Sequence, residues 1–179
     1  MKKLLRGLII IAFAYIVGII VVKNQIVTEM EYGLCIGALL LSVLLIRHTK
    51  KQRLLHSSFK KIDQMDGVKF EEYLMLHFKK KGYRVQLTPV SGDFGADLIL
   101  KRRRKKFVVQ AKRYSGSVGI KAVQEIIGAK EYYGIENGMV VTNSYYTKAA
   151  KELAEASGII LWDRKELAEQ FNIESGYRE

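Results

Sequence analysis

Two stretches near the amino terminus, GLIIIAFAYIVGIIVV (7–22) and YGLCIGALLLSVLLI (32–46), contain no charged residue. Neither run has a polar face, so neither suits a surface helix on a water-soluble core. Each is somewhat shorter than the ~20 residues that span a typical hydrocarbon core; snorkelling by Lys3, Arg6 and Lys23, or local thinning of the bilayer, makes up the difference. Cations flank the outer ends: Lys2, Lys3 and Arg6 before the first run, and Arg47, Lys50, Lys51 and Arg53 after the second. The link between them, KNQIVTEME, has one cation and two acids. This bias predicts a transmembrane hairpin over residues 1–46 with both termini in the cytoplasm, a multi-pass anchor in the cell membrane. A cleaved signal peptide fits the first run alone, and would leave the second run anchored with its basic flank on the wrong side.

The rest of the chain differs in kind. Of 30 Lys and Arg and 18 Asp and Glu, four and two lie in the first 46 residues, which leaves 26 and 16, a net of +10, in residues 47–179. Such a body favours an anionic partner, nucleic acid or the inner face of a membrane. The single cysteine, Cys35, excludes an intrachain disulfide and a cysteine zinc cluster. His48, His56 and His77 are scattered. His77 falls in a helical pattern and reads as a partly exposed helix residue, not a ligand. Residues 47–65, RHTKKQRLLHSSFKKIDQM, read as a basic juxtamembrane connector, helical in part. Near anionic headgroups its cations gain about 1 kcal/mol each.

Residues 66–172 read as an α/β domain and 173–179 as a polar tail. Asp66 caps a helix over 68–81 that Gly82 ends. YRVQL alternates as a strand, and the loop TPVSGDFG follows. ADLIL and KFVVQAKRY are strands joined by the cationic tip KRRRK. IKAVQEIIGAKEYY has a helical period, GMVVT is a buried strand, TKAAKELAEAS a helix, and IILW a last strand. Asp163 and Glu166 form a capping-box pattern for RKELAEQF. The order α-β-β-β-α-β-α-β-α implies a mixed sheet flanked by helices on both faces.

Within KFVVQAKRY, side chains alternate, so Gln110 and Lys112 share one face while Val109 and Ala111 share the other. If the hairpin turns near Arg103, Asp97 lies level with them. On the first helix, Glu71 falls within the apolar arc of Gly67, Phe70, Leu74, Met75 and Phe78, whereas Glu72 falls outside it. A core-facing carboxylate is costly unless paired or bound to a metal, which selects Glu71. Carboxylates and an amide oxygen are hard ligands suited to Mg²⁺, and a lysine beside them stabilises developing negative charge. Asp93, between glycine and phenylalanine in the loop, reads as a turn residue or a further ligand. A scatter of surface polar groups is the plainer reading of any one of these residues. Two polar residues interrupting an apolar run, with an acid from a second element, weigh against it.

The series GVKFEEYLMLHFKKKGYRVQLTPVSGDFGADLILKRRRKKFVVQAKRY, continued by VVTNSYYTKAAKELAEASGIILWDRKEL, resembles the catalytic domain of the Mrr-type restriction endonucleases, in the PD-(D/E)XK nuclease superfamily. The resemblance covers roughly residues 66–170. It implies a restriction-endonuclease-like core and a type IV-like DNA endonuclease using Mg²⁺ or Mn²⁺. It assigns Asp97, Gln110 and Lys112 to the D…QxK site and Glu71 to the acid of the first helix, with Asp97, Gln110 and Glu71 as metal ligands. Gln110 replaces the more usual acid, so metal affinity is expected to lean on Glu71. Enzymes of this type usually carry a separate DNA-recognition domain; here a membrane hairpin stands instead. Specificity is therefore expected from the nuclease domain, a partner or oligomerisation.

For DNA contact the sequence offers Arg102, Arg103, Arg104, Lys105 and Lys106 at the hairpin tip, with Arg113 and Tyr114 beside the site. An inner-leaflet contact or a solvated turn explains the tip equally well. Tyr132, Tyr133, Tyr145 and Tyr146 are candidates to stack on bases. Two further readings stay open: a membrane-linked DNA-binding module without turnover, and a junction-selective nuclease acting as a symmetric homodimer.

Overall fold

The computed structural model of the protein describes residues 10, 12–20, 29–89 and 94–173, and divides into two units, Met1–Thr49 and Lys50–Glu179. Helix α1 comprises residues 12–20, and α2 spans Glu29–Leu55. Among the described residues one segment, Tyr32–Leu55, is by length and composition able to cross a membrane, its most apolar stretch having a mean hydropathy of 1.6. Its Leu34, Ile36, Leu40 and Leu44 are all exposed, as an unpartnered apolar helix leaves them. The ends of the other expected span, with Lys2, Lys3, Arg6 and Lys23, lie outside the described residues, as does Asp93.

In the second unit, α3 (Phe59–Ile62) and α4 (Gly67–Lys80) precede strands β1 (Arg84–Leu87), β2 (Leu98–Arg102) and β3 (Lys105–Lys112). Then come α5 (Ile120–Tyr133), β4 (Asn137–Thr142), α6 (Lys148–Ala156), β5 (Ile159–Trp162) and α7 (Arg164–Phe171). The ends form where local chemistry dictates. Asp66 accepts from the Lys69 N–H at 2.7 Å at the start of α4. Gly134, at φ 58°, closes α5 in the left-handed conformation that lacks a Cβ penalty. Asp163 and Glu166 form the expected capping box of α7.

The five strands lie in the order β1-β2-β3-β4-β5. The first three pair antiparallel, and β4 and β5 continue parallel, each reached through a helix. One face packs Phe70, Tyr73, Leu74 and Phe78 of α4 and Leu167 and Phe171 of α7 against Leu98, Leu100, Val109 and Val141. The other packs Val123 and Ile126 of α5 and Ala150 and Ala154 of α6 against Val108 and Val140. Complete burial of each large side chain contributes about 1.5–3 kcal/mol.

Two expectations change. The stretch expected as a connector supplies Leu54, Phe59, Ile62 and Met65 to the core, so residues 54–65 are part of the domain's packing. His77 is not partly exposed: it is 5% exposed, its Nε2 donates to the Leu55 carbonyl at 3.2 Å, and its ring stacks on Phe171 with centroids 4.2 Å apart. Burial, together with the charges of Lys80, His56 and Lys81, outweighs that carbonyl and lowers its pKa to about 4.

Candidate active site

The β2–β3 hairpin turns at Arg103, which takes φ 53°, and its register pairs Leu98 with Val109. Asp97 therefore sits where the ladder ends. Its N–H donates to the Val109 carbonyl at 2.9 Å, and its own carbonyl accepts from the Thr88 N–H at 3.1 Å. Past Leu98 no residue of β2 supplies a backbone acceptor for the next N–H of β3. The Asp97 carboxylate takes that place: Oδ2 accepts from the Ala111 N–H at 2.7 Å. A strand end thus fixes an acid over the Gln110–Ala111 peptide, as the sequence register predicts.

Gln110 and Lys112 share the face of Val108, the side covered by α5. There they meet Glu125, which the sequence reading did not single out. Glu125 Oε2 accepts from Gln110 Nε2 at 2.8 Å and from Lys112 Nζ at 2.9 Å. Lys121 approaches its other oxygen at 3.9 Å. Burial by itself would raise the Glu125 carboxyl; the Lys112 hydrogen bond, then Gln110, and the charges of Lys112 and Lys121 together hold it below the usual carboxylate range. A carboxylate only accepts, so the Gln110 amide must turn its nitrogen to Glu125. Its oxygen, Oε1, is then left buried without a hydrogen-bond partner on a residue only 3% exposed. Gly95, at φ 87°, lets the loop before β2 pass α5 closely: a Cβ there would lie 2.9 Å from the Glu125 Cβ and carbonyl oxygen. Sequence did hold a signal for Glu125. It borders the stripe of Ala122, Ile126 and Ala129, all buried.

Glu71 is half-buried and Glu72 exposed, as the helical wheel predicts. Glu71 stands on α4, whose core residues pack on the opposite face of the sheet from α5. The hydrogen bonds described above join Asp97 to β3, and Gln110 and Lys112 to Glu125. Arg113 and Tyr114 follow directly on β3. The tip residues Arg102 to Lys106 are all exposed, at the other end of the hairpin. Lys105 is roughly 23 Å from Lys112 along the strand at ~3.3 Å per residue. Arg102 lies over the Tyr83 ring, 5.4 Å from its centroid. Of the four tyrosines, Tyr146 is withdrawn from any base-stacking role: it is 6% exposed and its hydroxyl donates to the Val140 carbonyl at 2.8 Å. Tyr132 stacks on Phe94 at 3.7 Å, and Tyr133 meets it edge-on. Tyr145 is exposed.

A mixed five-stranded sheet covered on both faces by helices fits a restriction-endonuclease-like α/β fold. A family model described as restriction endonuclease, the Mrr catalytic type, matches residues 62–171, more than half of the chain. The chain belongs to this family. A comparison with curated proteins gives no match. Among solved structures it is similar to the DNA modification-dependent restriction endonuclease AspBHI, at 22% identity over 73% of this chain and 36% of that one, with a TM-score of 0.46. It is also similar to the MspJI restriction endonuclease in complex with a 27-mer oligonucleotide, at 22% identity over 52% and 24% of the two chains, with a TM-score of 0.39. A third is AF1548, a protein of unknown function, at 18% identity over 50% and 54%, with a TM-score of 0.44. The aligned part thus spans little more than half of one of these proteins, 36% of another and 24% of the third.

Proposed function

We propose that this chain is a divalent-metal-dependent DNA endonuclease held at the membrane, with Asp97, Gln110 and Lys112 as its reaction centre. The observation that carries the reading is the buried, unpartnered Oε1 of Gln110 beside the Asp97 strand end. An orphaned amide oxygen, on the residue preceding the one whose N–H the Asp97 carboxylate holds, offers with that carboxylate the kind of oxygen donors a hard cation such as Mg²⁺ or Mn²⁺ takes. Among the described residues no three His, Cys, Asp or Glu side chains form a cluster that could hold a metal ion. Asp97 and Gln110 would hold the cation. When bound, the cation would neutralise charge on the scissile phosphate.

The chain's own groups supply the rest. Glu125 holds the amide of Gln110 so that its oxygen stays free. It also holds the Lys112 ammonium, which donates towards the phosphate oxygens and orients the attacking water. The water oxygen bonds to phosphorus, losing a proton to solvent, as the bond from phosphorus to the leaving sugar oxygen breaks and that oxygen takes a proton from solvent; Lys112 stabilises the negative charge that builds between. Arg113 and Tyr114 would contact the strand near the cut. The Arg102–Lys106 tip would reach backbone phosphates well away from it, or anionic lipid. The uncharged runs 7–22 and 32–46, with their basic outer flanks, support a cytoplasmic nuclease domain tethered by a hairpin.

Nicking of supercoiled plasmid by the full-length chain in detergent tests the reading. Mg²⁺ or Mn²⁺ is expected to be required, and EDTA to abolish cleavage. A panel of methylated, unmethylated and four-way-junction DNAs separates restriction from junction resolution. Salt-sensitive DNA binding with no cleavage under any divalent cation would replace this reading with that of a non-catalytic clamp.

A further inference from the structure

Beyond the carboxyl ends of β3 and β4 lies a polar cavity of about 480 Å³, outside the Asp97–Gln110–Lys112–Glu125 cluster. Asp63, in the turn before α4, forms one wall. Arg164 grips it with hydrogen bonds of 2.8 and 3.1 Å, and Asn143 Nδ2 with another of 2.8 Å. The Arg164 guanidinium also lies 4.1 Å over the Phe59 ring, which fixes its plane as a brace. Arg113 is placed differently. Its Nη1 donates to the Asp63 carbonyl at 3.3 Å, and its Nε is buried with no hydrogen-bond partner. Such an orphaned donor is unfavourable where it stands, and an anion's oxygen that reached it would satisfy it.

Two guanidinium groups against one carboxylate give the cavity a positive balance. Its walls are preformed. The Tyr114 N–H donates to Asn143 Oδ1 at 2.8 Å, and Ser144 Oγ to the Gly116 carbonyl at 2.6 Å, which ties the loops after β3 and β4 together. Tyr114 and Tyr145 line the same space and are each 55% exposed. Cationic donors plus exposed aromatic rings, in a volume typical of small-ligand sites, suit a phosphate that carries a planar base.

We propose that this cavity takes one unstacked nucleotide of a nucleic-acid strand, its phosphate on Arg113 and its base on the exposed tyrosine rings. The proposal rests on the nuclease reading in one respect: Lys112, the residue before Arg113, marks the cut, and the gripped nucleotide is its neighbour.

Competition binding tests it with full-length protein in detergent and EDTA, so that no cleavage enters. A short fluorescent thymidine oligonucleotide is displaced by an unlabelled thymidine oligonucleotide, by the abasic oligonucleotide of equal length, by thymidine monophosphate and by inorganic phosphate. The abasic competitor is expected to be about tenfold weaker than the base-bearing one. Tyr114→Ala with Tyr145→Ala should close most of that gap, and Arg113→Gln should weaken both oligonucleotides alike. Equal competition by base-bearing and abasic strands would overturn the proposal, and so would unchanged affinity in a folded Arg113→Gln protein. The parent comparison carries the test should that variant not fold. Thymidine monophosphate competing as well as the oligonucleotide would make this a free-nucleotide site and overturn the strand assignment. Failure of the parent to nick DNA with any divalent cation sinks the nuclease reading while base-dependent binding still stands; nicking with base-independent binding sinks only the cavity proposal.

Discussion

Glu125 shows how one carboxylate can set two neighbours at once. Because it accepts from both the Gln110 amide and the Lys112 ammonium, Glu125→Gln removes the anion that orients them. Single-turnover nicking by that variant should fall at least about tenfold, with a changed dependence on pH; an unchanged rate and profile would show that the contact is only structural. His77 makes a second prediction at this scale. Its pKa is lowered to about 4 in the folded state, from 6.5. The unfolded chain therefore binds more protons between these values. Stability present above pH 6.5 is lost as pH falls towards 4, by up to about 3 kcal/mol. Urea melts between pH 7 and 4 check this, and His77→Phe should flatten the slope. The depressed carboxyls of Glu125 and Asp63 act at the lower end, as pH falls below the usual carboxylate values. The burial of His77 was not legible in sequence because it depends on Phe171, 94 positions away on another helix. Helical period alone gives the face, not what covers it.

Among the elements, the hairpin was legible and the helix opposite it was not. Alternation along KFVVQAKRY and a turn near Arg103 were enough to bring Asp97 level with Gln110, because strand register is a local property. Glu125 arrives from α5 across a tertiary contact that no local pattern specifies. Glu71 could be chosen over Glu72 by its helical angle, and their burial follows that choice. The same angle says nothing of which sheet face the helix covers. Residues 54–65 were misleading for a related reason: Leu54, Phe59, Ile62 and Met65 are interleaved with cations, and the charges masked their packing role. The close pass between Gly95 and α5 gives the prediction at this scale. Gly95→Ala adds a Cβ at 2.9 Å from Glu125 atoms, one of them backbone, in a left-handed conformation. It should destabilise the domain by roughly 1–3 kcal/mol and lower nicking by displacing Glu125. Thermal melting alongside the nicking rate reads both effects, and a parent-like melt and rate would refute the assignment.

For the molecule as a whole, an amino-terminal region containing two uncharged apolar runs precedes in sequence a body of net charge +10 in residues 47–179. Basic charge of that size draws the domain to any polyanion, so DNA binding alone discriminates poorly between a nuclease and a clamp. Chemistry discriminates better. The central claim is that Lys112 supplies charge stabilisation to phosphodiester hydrolysis at the site built by Asp97 and Gln110. Its most direct test is the single-turnover nicking rate of full-length Lys112→Ala in saturating Mg²⁺, with circular dichroism and melting to confirm the fold. The account predicts a fall of at least about a hundredfold with the fold and DNA affinity largely kept. A folded Lys112→Ala protein that cuts at the parent rate would contradict it.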